Sequence, residues 1–413
     1  MTETAEIAIS DYLASVEHAE VEFLAELVKT PSDNPPGDCA PHAERTARLL
    51  EAMGFEVERH PVAPALCQAH GMISATNLIV RHRFGEGPVI ALNAHGDVVG
   101  PGEGWTKDPY GAVVEDGWMY GRGAAVSKSD IASYAYALKA LTVAAEAGAV
   151  FKGSIELHLT YDEETGGEIG PLLLLREGLS KPDYAIAAGF SYAVVTAHNG
   201  CLHLEIEVRG KSAHAALPMT GIDALEAAVP IMQALYDYRG GLALKESALA
   251  GIGSPQLTIG LIEGGINTNV VPDRVTMRLD RRMIPEETPE EVEAGLRQLI
   301  ERAAASHPLA TVAVRRILLA RPLTPIKGSD RLAKAIEKRA TAVMGEEIRA
   351  KGVPLYTDAR HYAEAGVPIV LYGAGPRTIE EANAHRADER LPLDDLRKAT
   401  LVMALSLADL LKA

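Results

Sequence analysis

Apolar positions recur first at helical spacing. Leu13, Val16, Val21, Leu24, Leu27 and Val28 fall mostly at steps of three and four, which predicts a helix within residues 13–30. Thr30-Pro31-Ser32-Asp33-Asn34-Pro35-Pro36-Gly37 stops it. A second helix is predicted over 41–53, broken by Gly54. Strands follow near 55–59 and 75–82, and then the apolar run 89–92. Ile131, Tyr134, Ala135, Leu138 and Leu141 give the next helix, which starts near Ser129, one packed face. Ile155-Glu156-Leu157-His158-Leu159-Thr160 alternates as a strand does. Helix and strand thus interchange, as in an α/β sheet with helices on both faces.

The pattern changes near residue 199. Leu202-His203-Leu204-Glu205-Ile206-Glu207-Val208 alternates strictly, so one face of that strand can be wet. A helix over 221–238, strands near 256–262 and 274–280, a helix over 290–305 and a strand near 311–318 complete a strand-helix-strand-strand-helix-strand order. That order predicts an α+β, ferredoxin-like sandwich. Afterwards come a helix near 330–344, a short strand at 353–356, a strand at 367–371 and a C-terminal helix over 392–411. A chain of 413 residues is too long for one core. The expected division is 1–198 with 317–413 as one α/β domain, and 199–316 inserted between its halves.

Composition narrows the classes. Apolar residues make up 47% of the chain, yet no run of 18 occurs, so no membrane span is expected. The first twenty residues lack the basic and apolar segments of a signal peptide. Cys39, Cys67 and Cys201 form neither zinc-finger spacing nor a disulfide framework, and a reducing cytoplasm is the simple expectation. Lys and Arg number 40 against 56 Asp and Glu, a net charge of -16. With no basic patch, nucleic acid is excluded as a partner. A small-molecule substrate is not excluded, because it responds to the local field of a pocket.

The candidate chemistry lies at strand ends. His95 and Asp97 follow the 89–92 run, two apart, which suits a metal ligand and a carboxylate that orients its ring. Asp162-Glu163-Glu164 follows the 155–160 strand. Three adjacent acids repel one another, and such a cluster is either solvated or held by a cation. Asp130, in the first turn of its helix, suits capping. Arg360, in Thr357-Asp358-Ala359-Arg360, could grip a carboxylate or pair with Asp358, and Gly373-Ala374-Gly375-Pro376 offers backbone N–H groups to an anion. Arg282 could bind a carboxylate or pair with Asp280. No second histidine or cysteine cluster is expected to compete for metal.

The ordered motifs HGD, WTKDPY with GRG, DEETGG, GGINTNVVPD and AHRADE resemble the zinc-dependent M20 peptidase superfamily over nearly the whole chain. That superfamily includes acetylornithine and succinyl-diaminopimelate deacylases, aminoacylase and glutamate carboxypeptidases. The resemblance implies a zinc-exopeptidase-like catalytic domain with an inserted lid and dimerisation domain, and hence a homodimer. It implies Glu163 as the general base, with Asp97 and His214 also catalytic and His214 reaching across the dimer. Asn269 matches a family asparagine near the site, and it joins Arg282, Arg360 and Gly373 as substrate-binding candidates. His95, Glu164 and His385 are the implied metal ligands.

Two departures matter. The family's bridging aspartate falls on Val126, which has no lone pair, and a further acidic ligand falls on Gly189. The resulting expectation is one divalent metal per subunit, zinc by default, with manganese or cobalt suited to the same ligands. Asp130 is the candidate substitute for the bridge, and Asp183 or His198 for the ligand at 189. The expected function is hydrolysis of an amide C–N bond in a small N-acyl amino acid or dipeptide-like substrate by Glu163-activated water. The alternatives are a metal-dependent aminohydrolase acting on a small aromatic or amidine substrate, and a binding protein without catalysis.

Overall fold

The computed structural model describes residues 3–412. The chain forms two compact units. The larger comprises the chain up to Thr196, Pro325–Lys351 and the chain from Thr357; the smaller comprises Ala197–Thr324 and Gly352–Tyr356.

At the centre of the larger unit four strands run parallel, in the order Ser154–Thr160, Val89–His95, Tyr184–Ala187 and Ile369–Leu371. Thr76–Arg83 and Val57–Pro61 extend the sheet antiparallel beyond Ser154–Thr160. Strands of this centre read as near-continuous apolar runs because helices cover both faces: Ile90, Ala91 and Leu92 are all buried. The helix Lys128–Glu146 packs against Glu3–Ser15, Glu17–Val28 and Leu393–Leu410. Its apolar face is Ile131, Tyr134, Ala135, Leu138 and Leu141, and buried alanines at 132, 137, 140 and 144 allow close approach on other sides. Parallel strands end at the same edge of a sheet. His95, Thr160, Ala187 and Leu371 therefore hand the chain to four neighbouring loops, the place where open α/β sheets bind ligands.

The predicted helix of 13–30 is two helices, Glu3–Ser15 and Glu17–Val28, each burying its own apolar stripe. The strand expected at 353–356 lies instead at Ala350–Val353. Pro354 follows, and it has no N–H to give to a ladder.

The smaller unit is a four-stranded antiparallel sheet in the order Gln256–Gly264, Arg274–Met283, Gly200–Arg209 and Thr311–Ala320. The helices Ala224–Leu242 and Pro289–Ala304 pack against its Leu202, Leu204, Ile206 and Val208 face. This is the ferredoxin-like arrangement. Asp223 starts the first helix by accepting from the N–H groups of Leu225 and Glu226. No helix among the described residues is long and apolar enough to cross a membrane.

Candidate active site

His95 is buried at the end of its strand. Its Nδ1 lies 3.0 Å from the Asp97 carbonyl oxygen and 3.4 Å from Asp97 Oδ1. A carbonyl only accepts, so Nδ1 carries a proton and Nε2 is the nitrogen left to meet a ligand. Asp97 is fully buried and anchors more than the ring. Its carboxylate accepts from Asn34 Nδ2 at 3.0 Å and from the N–H groups of Glu163 and Glu164 at 3.3 and 3.1 Å. Asp97 therefore fixes the short turn Glu163–Thr165 that carries both glutamates. The proline-rich loop reaches the site through Asn34.

Ligand atoms of His95, Glu163 and Glu164 all lie within 4.8 Å of one another. His385 Nε2 lies 3.5 Å from Glu164 Oε1. Charge is crowded here. Burial pushes the Glu163 carboxyl up to about 8, opposed by His95 and reinforced by Glu164 and Asp97. Burial would lower His95, but the Asp97 hydrogen bond and the charges of Glu163, Asp97 and Glu164 outweigh it and raise the imidazole well above its ordinary value. The Glu164 hydrogen bond likewise raises His385. One imidazole and two carboxylates with ligand atoms this close together fit a divalent cation, with His385 beside Glu164.

The other larger-unit candidates have defined places. Arg360 is buried, and its Nη2 donates to the Gly166 carbonyl, which His361 Nε2 also approaches at 2.9 Å. Asp130 is buried, and its Oδ1 accepts from the Ala374 N–H at 2.8 Å. Burial raises Asp130 to about 7 against the pull of the Ala374 and Gly189 amides and His95. A Cβ on Gly373 would sit 1.7 Å from Asp130 Oδ1, so residue 373 must be glycine beside this aspartate. A Cβ on Gly189 would meet the Leu371 and Tyr372 backbone at 2.9 Å. Position 189 has no room for an acid without backbone movement. Asp183 Oδ2 accepts from the Val89 N–H, at the opposite ends of the strands from the site.

His214, Asn269, Arg282 and His198 belong to the smaller unit. His214 is exposed, and its Nδ1 accepts from the Ala216 N–H at 3.0 Å. The Asn269 carbonyl accepts from Ala215 at 3.0 Å. His198 is buried, with Nδ1 2.8 Å from the Asn199 carbonyl. Arg282 Nε donates to both Asp280 oxygens at 3.0 and 3.2 Å.

Two sequence-based expectations are corrected. Cys201, His203 and Asp280 form a second group able to hold a metal, so a competing cluster does exist. One ion per subunit is accordingly overturned, because the chain carries two separate donor groups, one in each unit. Neither zinc-finger spacing nor a disulfide framework marks this group; its signal is Cys-x-His on one face of an alternating strand, with an aspartate on the neighbouring strand of the sheet. Sequence reasoning also missed Arg122. It pairs at 2.6 Å with Glu389, which accepts from the Ala125 and Val126 N–H groups as well.

Known proteins share this fold. Residues 91–409 match peptidase family M20/M25/M40. The chain belongs to that family, and with its donor groups it is a metal-dependent hydrolase of small amide or peptide bonds. It is 28% identical over 339 residues to a succinyl-diaminopimelate desuccinylase of Sulfurimonas denitrificans, covering 78% of this chain and 84% of the relative. It is also 28% identical over 363 residues to an acetylornithine deacetylase of Myxococcus xanthus, covering 87% and 89%. An M20 family metallo-carboxypeptidase from Sulfolobus solfataricus shares the fold at TM-score 0.76 and 18% identity, covering 94% of this chain and 98% of that one.

Proposed function

We propose that the protein removes an acyl group from the nitrogen of a small amino acid, releasing a carboxylic acid and a free amine. The observation that carries this is the Glu163–Glu164 turn, hung by its N–H groups on Asp97 beside His95. The names of the deacylase relatives support the acyl class of substrate.

His95 and Glu164 would hold the cation, with His385 beside Glu164. The chemistry a divalent ion would supply there is Lewis acidity, toward the scissile carbonyl and toward water. Glu163 takes the proton of the attacking water and returns it to the leaving nitrogen. Asp97 keeps the His95 ring in one tautomer and holds the base in register. Arg360 and His361 hold the far end of the turn through the Gly166 carbonyl. His214 meets the developing oxyanion from a partner subunit. Asn269, Arg282 and the Gly373 loop are assigned to substrate.

The homodimer is part of the same proposal. In the smaller unit Leu225, Val229 and Tyr236 form an exposed stripe on one helix, and Leu261 and Ile262 are exposed on the edge strand Gln256–Gly264. A second copy would cover both. Cytoplasmic location remains the expectation from cysteine usage.

The test is a panel of N-acyl amino acids and dipeptides with protein stripped by chelator and then reloaded. The proposal requires release of free acid by the reloaded protein and its loss on chelation. Release of ammonia, or turnover indifferent to chelation, overturns it.

A further inference from the structure

We propose that the smaller unit holds its own thiophilic divalent ion, of the zinc type, on Cys201, His203 and Asp280. None of its three donors is a residue of the proposed hydrolysis, although Arg282, which pairs with Asp280, is assigned to substrate there.

The sheet register builds the site. Cys201 and His203 are two apart on Gly200–Arg209 and share the face turned away from the unit's helices. On the neighbouring strand Asp280 pairs directly with His203, and Arg282 with Cys201. The rest of that face is a ladder of ion pairs. Glu205 meets Arg278 and Arg315, and Glu207 meets Arg209 and Arg274. Only at the 201 and 203 rungs do a thiol and an imidazole take the places that glutamates hold further along.

The separations are close to those an ion would draw the three side chains into. Zinc binds sulfur at about 2.3 Å and nitrogen or oxygen at about 2.0–2.2 Å. Tetrahedral angles then put sulfur about 3.5 Å from each light donor, and the light donors about 3.4 Å from each other. The distances are 3.2 Å for Cys201 Sγ to His203 Nε2, 3.7 Å for Sγ to Asp280 Oδ1, and 3.2 Å for Nε2 to Asp280 Oδ2. The imidazole nitrogen faces the thiol and one carboxylate oxygen while the thiol faces the other oxygen, and one ligand atom from each of the three residues lies within 4.8 Å of the others. Arg282 holds the carboxylate from outside, as partners of carboxylate ligands do, and its guanidinium lies 5.5 Å from the Tyr356 ring centre. Cys201 is buried, whereas His203 and Asp280 are part-exposed, which leaves an approach for the ion and a fourth position for water.

A thiolate selects a soft or borderline ion over magnesium or calcium. On binding, the thiol proton leaves to solvent and no electron moves. The other cysteines do not offer this. Cys39 donates to the Ser32 carbonyl and Cys67 to that of Val62.

The experiment uses the full chain, stripped of metal and titrated with cobalt(II) alone. Wild-type protein should bind two cobalt ions per chain at saturation and show a thiolate-to-cobalt charge-transfer band that excess zinc erases. Cys201→Ser should abolish the band and lower total bound metal by one per chain. His203→Asn, at a less buried position, should weaken cobalt binding at least tenfold. Glu164→Gln, in the other donor group, should leave the band intact. Absence of the band in the wild type, its survival in both smaller-unit variants, or its loss in Glu164→Gln overturns the assignment.

Discussion

Arg122 donates to Glu389 across 267 residues of sequence, at 2.6 Å, with both side chains 1% exposed. The pair joins the Gly121-Arg122-Gly123 turn to the loop that carries His385. Glu389 also accepts from the N–H groups of Ala125 and Val126, so one carboxylate fixes the turn entering the helix Lys128–Glu146. Glu389→Gln strands a buried guanidinium, and breaking such a pair costs about 3–5 kcal/mol. Urea unfolding of this variant should show that loss. Arg122→Met with Glu389→Leu should recover part of it, because no charge is left unpaired.

Asp130 and Gly373 form a matched pair. Gly373→Ala puts a methyl where the Asp130 carboxylate sits, and should cost about 1–3 kcal/mol through overpacking. Adding Asp130→Ala removes the clash. The double variant should be more stable than the sum of the two single losses predicts, by roughly 0.5–3 kcal/mol of coupling. Denaturation midpoints of the four proteins check this.

Glu20 is a buried carboxyl that receives the Thr400 hydroxyl proton in a hydrogen bond. Burial raises it from 4.5 to about 8, with Glu17 adding to the shift and Thr400 and Arg397 opposing it. A folded-state value above the unfolded one gives stability that is full below 4.5 and lost as pH rises to about 8. Glu20→Gln cannot ionise. It should match the wild type near pH 4 and gain on it by at most about 1.4 kcal/mol per pH unit across that window. Thermal melts at pH 4, 6 and 8 test the sign.

The site's strand-end geometry was legible because His95 and the acidic run each follow an apolar strand, and parallel strands deliver their ends to one edge. The inserted sandwich was legible from strict alternation at 202–208. What sequence could not give was partnership over distance. Nothing local in Arg122 announces Glu389, and nothing local in Asp130 announces Gly373 and Ala374. Asp97 looked like an orienter of His95, but its grip on the Glu163 and Glu164 N–H groups depends on how the second loop folds back. The second donor group was overlooked for a different reason. Its cysteine and histidine look ordinary until register sets Asp280 opposite His203.

The most direct measurement is turnover of an N-acyl amino acid by Glu163→Gln beside the wild type, with bound metal and melting temperature recorded for both. The exchange keeps the shape of the side chain and removes the base. Loss of about 10²–10⁴-fold in kcat, with metal content and melting retained, is the predicted result. Undiminished turnover by Glu163→Gln would contradict the account.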